Sequence, residues 1–283
     1  MINEQIKAFI DNALNEDVGS GDYTSLAIIP ENLIGKALLY VKEEGILAGV
    51  EIAQDIFNYL DPSCRFNIFL NDGSYCKGHK EIAFEVEAHV QNLLKAERLI
   101  LNIMQRMSGI ATVTHQYVKA IEGTKAKILD TRKTTPGFRF FEKEAVRIGG
   151  GQNHRFGLYD MVMIKDNHID FVGGITPAIQ KVKAFLEKHH LQIPIEVEAR
   201  TITDVEEILN AGGIQRILLD NFNFENTRKA VSIINGRLEV ESSGGITLEN
   251  VREYALCGVD FISIGALTHH IKSLDLSLKA SFK

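Results

Sequence analysis

Residues 193–220 read IPIEVEARTITDVEEILNAGGIQRILLD, and this stretch decides the fold class. It opens with the β-rich run IPIEVEA (193–199) and closes with a second one, RILLD (216–220). Between them, TDVEEILNAG (203–212) spaces its apolar residues as a helix does and ends in Gly, a common helix stop. A strand, a helix and a second strand in this order are typical of a parallel βαβ unit.

The same alternation recurs on both sides of this unit. Helix-patterned segments separate further β-rich runs, and several begin with Thr, which can cap a helix N-terminus. Six strands linked in this way predict an α/β fold with an incomplete (β/α) barrel over residues 108–270, while spacing alone leaves an open sheet as the alternative. The other four runs are KILDT (127–131), MVMIK (161–165), LEVESSG (238–244) and FISIGA (261–266).

Residues 1–107 show a different pattern, with few parallel crossovers, and predict a separate N-terminal α+β domain. Residues 92–121 indicate two helices that break near Ser108 and Gly109 and join this domain to the barrel. A C-terminal helix over 271–283 is predicted to pack back on the first domain. The strand-like runs of the domain are ALLYVKEEGILAGV (37–50) and EIAFEVEAHVQ (81–91).

Composition limits the classes of partner. The 283 residues carry a net charge of −6, and the 24% charged residues are spread along the chain. Without a basic stripe or a polybasic arm, we expect a small-molecule substrate and neither nucleic acid nor a membrane. Cys64, Cys76 and Cys257 are too scattered for a disulfide framework or a metal cluster, and the N-terminus lacks the apolar core of a signal peptide, so we expect a reducing cytoplasm.

Polar and Gly-rich segments follow the predicted strands at their C-terminal ends, where barrel enzymes place catalytic groups. A single residue of this kind is more often a solvated loop residue, but consecutive strand ends that all carry them indicate a site. In IPIEVEA, the period-2 alternation puts Glu196 and Glu198 on one face, with Glu198 nearer the active end. The other segments contain Arg132 and Lys133, Lys165, Asp220, Ser243 and Gly244, and Gly265 and His269.

The last two strand ends are rich in glycine, reading SSGG (242–245) and IGA (264–266). Barrels often bind phosphate at this position through backbone N–H groups. Alternatively, these glycines only permit tight turns, and the two segments alone do not distinguish a phosphate site from a purely structural role.

Cations are dense near Lys165, because the pairs Arg132–Lys133 and His154–Arg155 join it. Their mutual repulsion predicts a bound polyanion such as a pyrophosphate or a dicarboxylate. Glu198 and Asp220 are acids among these cations, and we expect them to hold ribose hydroxyls and a Mg²⁺ ion.

At these residues the sequence resembles the quinolinate phosphoribosyltransferase family, and the resemblance covers essentially the whole chain. Together the matching segments are highly specific, whereas a lone Gly-Gly would not be. They are EDVGSGD (16–22), AERLILN (96–102), DTRKTTPG (130–137), GGGQNHR (149–155), IKDNH (164–168), EVE (196–198), LDN (219–221), SGGI (243–246) and GALTH (265–269).

The resemblance implies a two-domain fold, a homodimer or larger homo-oligomer, and a Mg²⁺-dependent pentosyl-transferring enzyme. Such an enzyme joins quinolinate to phosphoribosyl pyrophosphate with loss of carbon dioxide, forming nicotinate mononucleotide for NAD biosynthesis. It also implies shared active sites, with Arg98 reaching quinolinate from the partner subunit.

The resemblance also implies roles for single residues in the barrel. The quinolinate carboxylates would be bound by Arg132, His154, Arg155 and Lys165. Lys133 would lie beside quinolinate and the pyrophosphate leaving group, with Glu198 and Asp220 on the ribose and magnesium side. The 5-phosphate would be held by Ser243, Gly244, Gly265 and His269.

Three other functions stay open at this point. A relative of the same fold that is linked to molybdenum transport would not release carbon dioxide from quinolinate. A non-catalytic phosphosugar or nucleotide-binding module would not need Lys133, Glu198 and Asp220. An aldolase-like barrel with Lys165 as a Schiff-base amine would leave the other cations unexplained.

Overall fold

The computed structural model describes residues 4–281 of the chain. Its elements, in chain order, are α1 (Glu4–Val18), α2 (Tyr23–Ile28), β1 (Ile34–Val41), β2 (Glu44–Ile46), α3 (Val50–Leu60), β3 (Arg65–Ile68), β4 (Tyr75–Lys77), β5 (Glu81–His89), α4 (Val90–Ala120), β6 (Lys127–Leu129), α5 (Arg139–Ile148), β7 (Val162–Ile164), α6 (Asp166–Val172), α7 (Ile175–Lys188), β8 (Ile195–Ala199), α8 (Ile202–Ala211), β9 (Arg216–Asp220), α9 (Phe224–Ile234), β10 (Glu239–Ser243), α10 (Val251–Leu256), β11 (Phe261–Ser263), α11 (Ala266–His269) and β12 (Leu276–Ser281).

The chain forms two compact units. The first takes in the described residues up to 115, residues 134–150 and those from 270 onward, and the second takes in 116–133 and 151–269. The domain boundary predicted between residues 107 and 108 lies inside α4. Residues 134–150 belong to the first unit, where the ring centroid of Phe9 lies 4.9 Å from that of Phe141.

The first unit is built on an antiparallel sheet in the order β12-β1-β5-β3, with β2 and β4 paired separately. Leu39 and Val41 of β1 and Val86 of β5 are buried, because alternate side chains of a strand point to the same face. The predicted α+β character of this region is confirmed.

The predicted break at Ser108 and Gly109 is wrong, since α4 is one continuous helix of 31 residues. Gly109 has a packing role: a Cβ at this position would overlap the carbonyl oxygen of Lys272 and lie 3.1 Å from its carbonyl carbon. Ser108 is fully buried and its Oγ accepts the N–H of Ala48 at 2.9 Å. Both residues are therefore small because neighbouring backbone approaches the helix closely.

The predicted C-terminal helix over 271–283 is also wrong. Residues Leu276–Ser281 form β12, which pairs antiparallel with β1, and the last two positions of the predicted helix lie outside the described residues. Leu276 and Leu278 are buried while Lys279 is exposed, a period-2 pattern that suits a strand. Pairing with β1 satisfies backbone groups that a helix would have left open at the sheet edge.

The second unit contains a six-stranded parallel sheet in the order β6-β11-β10-β9-β8-β7. All six predicted strands are confirmed, with shorter bounds at most ends. In residues 4–281 no strand ladder joins β6 to β7, so the sheet stays open between its two outer strands, as expected of an incomplete barrel. A single parallel bridge from Leu129 to Gln152 lies beside β6.

Among the described residues, no helix is both long enough and apolar enough to cross a membrane.

Candidate active site

The C-terminal ends of the parallel strands lie along one edge of the second unit's sheet. Ser243 is the ladder partner of Asp220, and these are the last residues of β10 and β9. Glu198 lies near the end of β8, and Lys165 directly follows β7. Every predicted site residue except Arg98 belongs to this unit.

Two arginines are close enough at this site for their charges to repel. The Arg155 guanidinium is half-buried, and its NH1 donates to the Met161 carbonyl at 3.2 Å. Burial lowers the pKa of Arg155, and the positive charge of Arg132 lowers it further. Guanidinium groups stay charged at physiological pH, so two neighbouring ones favour a ligand with more than one anionic group.

Glu198 is the buried acid of the site. Its side chain is 8% exposed, and its Oε2 lies 3.6 Å from the Nζ of Lys165. Burial raises the pKa of Glu198, the charge of Lys165 opposes this rise, and the carboxylate of Asp220 adds to it. Glu198 and Asp220 are therefore near enough to repel each other, which a bound cation or hydroxyl donors would relieve.

Asn221 holds the Asp220 carboxylate from the next position in the chain. Its Nδ2 donates to Asp220 Oδ2 at 2.8 Å, and its backbone N–H donates to the Ser243 carbonyl at 2.9 Å. Its φ of +56° lies in the left-handed region, which Asn adopts more readily than most residues. Gly244 leaves room for the amide, because a Cβ there would overlap Asn221 Oδ1 and lie 2.6 Å from its Cγ.

Gly265 lies between two exposed basic side chains. A Cβ at Gly265 would lie 3.0 Å from the Cδ of Lys133 and 2.9 Å from the Nε2 of His269. Thr268 Oγ1 donates to the Lys133 carbonyl at 2.7 Å and so fixes the backbone that carries this lysine. A glycine backbone flanked by Lys and His side chains is suited to a phosphate group.

Both ring nitrogens of His154 lie beside other groups of the protein. Its side chain is 5% exposed, and its Nε2 lies 3.0 Å from Glu196 Oε2 and 3.3 Å from Glu241 Oε2. Its Nδ1 accepts the backbone N–H of Arg155 at 2.7 Å, and its own backbone N–H donates to Asp130 Oδ1 at 2.8 Å. Burial would lower the pKa of His154, but the contacts with Glu196 and Glu241 outweigh it and raise the pKa to about 9.

Within residues 4–281, potential metal ligands come together at His154, Glu196 and Glu241, whose ligand atoms lie within 4.8 Å of one another. Two features disfavour a metal there. Arg216 NH1 lies 3.1 Å from Glu241 Oε2 and already supplies a positive charge. A histidine that ligates through Nε2 usually donates a proton from Nδ1, whereas this Nδ1 accepts one. The cluster fits buried ion pairing better.

Glu198 and Asp220 fit a hard cation better than that cluster does. Both offer carboxylate oxygens at adjacent strand ends, and Asp220 is only partly buried. Mg²⁺ prefers such oxygen ligands and usually takes few of them from the protein.

Arg98 lies on α4 in the first unit and is exposed. Ala96 and Ile100, two positions to either side, are fully buried. Because residues two apart on a helix face nearly opposite directions, Arg98 points away from the unit's core.

Sequence reasoning missed the residues that hold the site in place. Asp130, Asn221 and Thr268 lie in the matching motifs but have no predicted role, and neither Arg216 nor Glu241 is a predicted site residue. The period-2 alternation was the available signal, because Glu241 is two positions before Ser243 on β10 and points to the same face.

Comparisons with known proteins agree with this architecture. A family model described as "Quinolinate phosphoribosyl transferase, N-terminal domain" matches residues 22–108, and its C-terminal counterpart matches residues 110–279. The chain is 46% identical to the chloroplastic nicotinate-nucleotide pyrophosphorylase [carboxylating] of Oryza sativa subsp. japonica, covering 97% of this chain and 77% of that protein. It is 42% identical to a probable enzyme of the same name from Bacillus subtilis, covering 97% and 93%.

Among solved structures, the nicotinate-nucleotide pyrophosphorylase of Ehrlichia chaffeensis superposes with a TM-score of 0.90 at 39% identity. The superposition covers 99% of each chain.

Proposed function

This chain belongs to the quinolinate phosphoribosyltransferase family, and on that basis we propose that it is a carboxylating nicotinate-nucleotide pyrophosphorylase. It transfers the phosphoribosyl group of phosphoribosyl pyrophosphate to quinolinate and yields nicotinate mononucleotide, pyrophosphate and carbon dioxide for NAD biosynthesis. The observation that carries the proposal is one sheet edge where acidic and basic side chains meet, with Lys165 Nζ 3.6 Å from Glu198 Oε2 and Asp220 paired with Ser243. Arg132 and Arg155 belong to the same unit and repel each other, which a dicarboxylate would relieve.

Quinolinate is held by its two carboxylates. Arg132 and Arg155 offer planar forks that match carboxylate geometry, and Lys165, directly after β7, adds a compact charge. Lys133 follows Arg132 after the same strand, β6, and lies beside quinolinate and the pyrophosphate that leaves.

Phosphoribosyl pyrophosphate occupies the other side of the site. Gly265, between Lys133 and His269, takes the 5-phosphate together with Ser243 and Gly244. The carboxylates of Glu198 and Asp220 accept hydrogen bonds from the ribose hydroxyls, and their oxygens fit a Mg²⁺ ion. When bound, Mg²⁺ offsets the negative charge of the pyrophosphate.

Positioning and electrostatics account for the chemistry. The pyridine nitrogen forms a bond to the anomeric carbon as the bond to pyrophosphate breaks, and the electron pair of that bond leaves with the pyrophosphate. The bond between ring carbon 2 and its carboxyl group then breaks and releases carbon dioxide. The electron pair left on carbon 2 is stabilised by the adjacent positive nitrogen until a solvent proton replaces the carboxyl group.

We also propose that the enzyme is a homodimer or larger homo-oligomer in which Arg98 reaches quinolinate in the partner's site. The support is the exposed position of Arg98 on α4 and the reciprocity of a symmetric dimer, in which each subunit can lend this residue to the other. We further propose a cytoplasmic location, supported by three free cysteines, although the rice relative carries a chloroplastic name.

One experiment tests the proposed activity. Purified protein is incubated with quinolinate, phosphoribosyl pyrophosphate and Mg²⁺, and nicotinate mononucleotide and carbon dioxide are measured together. We expect the two products in equal amounts, and only when all three components are present. Nucleotide formation without carbon dioxide would refute the decarboxylating activity, and neither product would refute the proposed transferase. Borohydride trapping of a carbonyl substrate on Lys165 would support the aldolase alternative.

A further inference from the structure

A layer of buried charge lies beneath the proposed active site. Glu196 is two residues before Glu198 on β8, and Glu241 is two residues before Ser243 on β10, so each points to the same face as a site residue but deeper in the sheet. Both carboxylates are fully buried. Barrel interiors usually contain apolar branched side chains at such levels, and burying two carboxylates is costly unless they are compensated.

Two basic side chains compensate these acids. Arg216 NH1 lies 3.1 Å from Glu241 Oε2, and His154 Nε2 lies within 3.3 Å of both carboxylates. Burial and the charge of Glu241 raise the pKa of Glu196, whereas the contacts of Glu241 with His154, Ser263 and Arg216 outweigh its burial and lower its pKa.

The backbone contact at Nδ1 decides where the shared proton lies. A doubly protonated ring would place its Nδ1–H against the Arg155 N–H, which is 2.7 Å away, so this contact favours a neutral ring with its proton on Nε2. The carboxylates favour the charged ring instead. The backbone contact is the geometric observation, and it places the single ring proton on Nε2, beside the two carboxylates.

His154 connects this cluster to the substrate site through the backbone. The carboxylates of the cluster lie beside the ring at Nε2, and the ring accepts the Arg155 N–H at Nδ1. The backbone N–H of His154 is in turn held by Asp130. The two consecutive peptide groups that lead into Arg155 are therefore each held by a side chain, against the repulsion that Arg132 exerts on the Arg155 guanidinium.

We propose that His154, Glu196, Glu241 and Arg216 form a positioning cluster for Arg155, so that His154 acts on quinolinate through Arg155 and does not contact it. The inference rests on the proposed function, because it assigns a second layer to the same site. A ring that is only 5% exposed and has both nitrogens beside protein groups is poorly placed to bind a ligand directly.

Two substitutions at position 154 separate the roles of the ring nitrogens. His154→Asn keeps an acceptor near the position of Nδ1 but no longer reaches the carboxylates, whereas His154→Gln reaches the carboxylates but loses the acceptor for Arg155. We expect KM for quinolinate to rise about tenfold or more in His154→Gln and about threefold or less in His154→Asn. In both variants KM for phosphoribosyl pyrophosphate should stay within about threefold of the wild-type value. Equal losses of quinolinate affinity in the two variants would indicate direct contact and overturn the proposal.

A variant in the cluster and a control for general destabilisation complete the test. Glu241→Gln should also raise KM for quinolinate selectively. Asp260→Ala removes the carboxylate that accepts the Val240 N–H and pairs with Lys125, at the opposite end of the sheet. It should lower Tm and leave KM for quinolinate unchanged. If Glu241→Gln lowered Tm without changing this KM, as the control does, the cluster would be merely structural and the proposal would be wrong.

A spectroscopic measurement is independent of activity. In ¹⁵N-histidine-labelled wild-type protein, the His154 signals can be assigned by their loss in His154→Gln. We expect one protonated and one unprotonated ring nitrogen, and two protonated nitrogens would overturn the proposal because Nδ1 could not accept the Arg155 N–H. If the wild-type enzyme failed to turn over quinolinate, the proposed function would fail while this measurement still reported on the cluster.

Discussion

Replacing Gly244 by Ala tests whether the Asn221 amide holds the Asp220 carboxylate in its working position. Gly244 has a φ of +93°, and a Cβ there would displace the Asn221 side chain that donates to Asp220 Oδ2. Gly258 is a matched control, since its φ is +90° and an added Cβ would meet only Val231 Cγ1, at 3.5 Å. Both substitutions cost about 1 to 2 kcal/mol of backbone strain.

Backbone strain should lower Tm by about 2 to 8 °C in both variants, Gly244→Ala should lose at least as much stability as Gly258→Ala, and the two should differ in activity. Losing a hydrogen bond to a charged group costs about 1.5 kcal/mol at an exposed site, so Gly244→Ala should lower kcat/KM for phosphoribosyl pyrophosphate about tenfold. Gly258→Ala should keep the wild-type value. Asn221→Ala should reproduce the loss, and the double variant with Gly244→Ala should lose no more than either alone.

Steady-state kinetics with each substrate varied in turn, together with thermal melts, measures all four proteins. Full activity of Gly244→Ala would refute the reasoning, because the Asn221 amide could then move without affecting Asp220. Equal losses of activity in Gly244→Ala and Gly258→Ala would also refute it, since backbone strain alone would explain the effect.

Four further outcomes are expected. Quinolinate should be preferred over nicotinate by at least about 30-fold in kcat/KM, since an unpaired desolvated cation costs about 2 to 5 kcal/mol, and equal turnover would contradict the dicarboxylate site. Asp220→Asn should lower turnover and weaken the Mg²⁺ dependence while calorimetry finds quinolinate binding intact. Lost quinolinate affinity with unchanged turnover would show that Asp220 does not act on the ribose and magnesium side. Arg98→Ala and Lys133→Ala should each be inactive yet regain part of the activity when mixed and allowed to exchange subunits, and exchange without recovery would exclude a shared site. Asp61 is buried, and the hydrogen bonds that it accepts from Ser63 and His89 outweigh its burial and lower its pKa. Its stabilisation is present above about pH 4 and lost as the pH falls further, so urea melts should show Asp61→Ala about 2 kcal/mol less stable at pH 7 and closer to wild type near pH 3.

The alternation of strands and helices predicted the six parallel strands of the second unit from sequence alone, although it left both an incomplete barrel and an open sheet as possible arrangements. The apolar residues at the centre of RILLD and in the IEVEA part of IPIEVEA are buried, and the two runs lie at the spacing that parallel crossovers require. The candidate site residues were also identifiable, because parallel strands bring their C-terminal ends to one edge and Asp220 and Ser243 then become neighbours.

The first unit was harder to predict, because its form depends on contacts between distant segments. Gly109 predicts a helix break when only the neighbouring residues are considered. It lies inside α4 instead, and a glycine is needed there because the Lys272 backbone approaches the helix closely. The C-terminal residues have apolar side chains that fit either a helix or a strand, and only the open edge of β1 made them a strand.

The surroundings of the His154 side chain were likewise decided by tertiary structure. In the sequence it is one cation beside Arg155, and the resemblance assigned it to the substrate. In the fold, Glu196 from β8 and Glu241 from β10 meet its ring at 3.0 and 3.3 Å, although they are 42 and 87 positions away along the chain. The sequence determines which charged residues are available. Which of them pair with each other depends on the strand register, which brings them together in a buried layer. An unpaired charge in such a layer would be strongly destabilising.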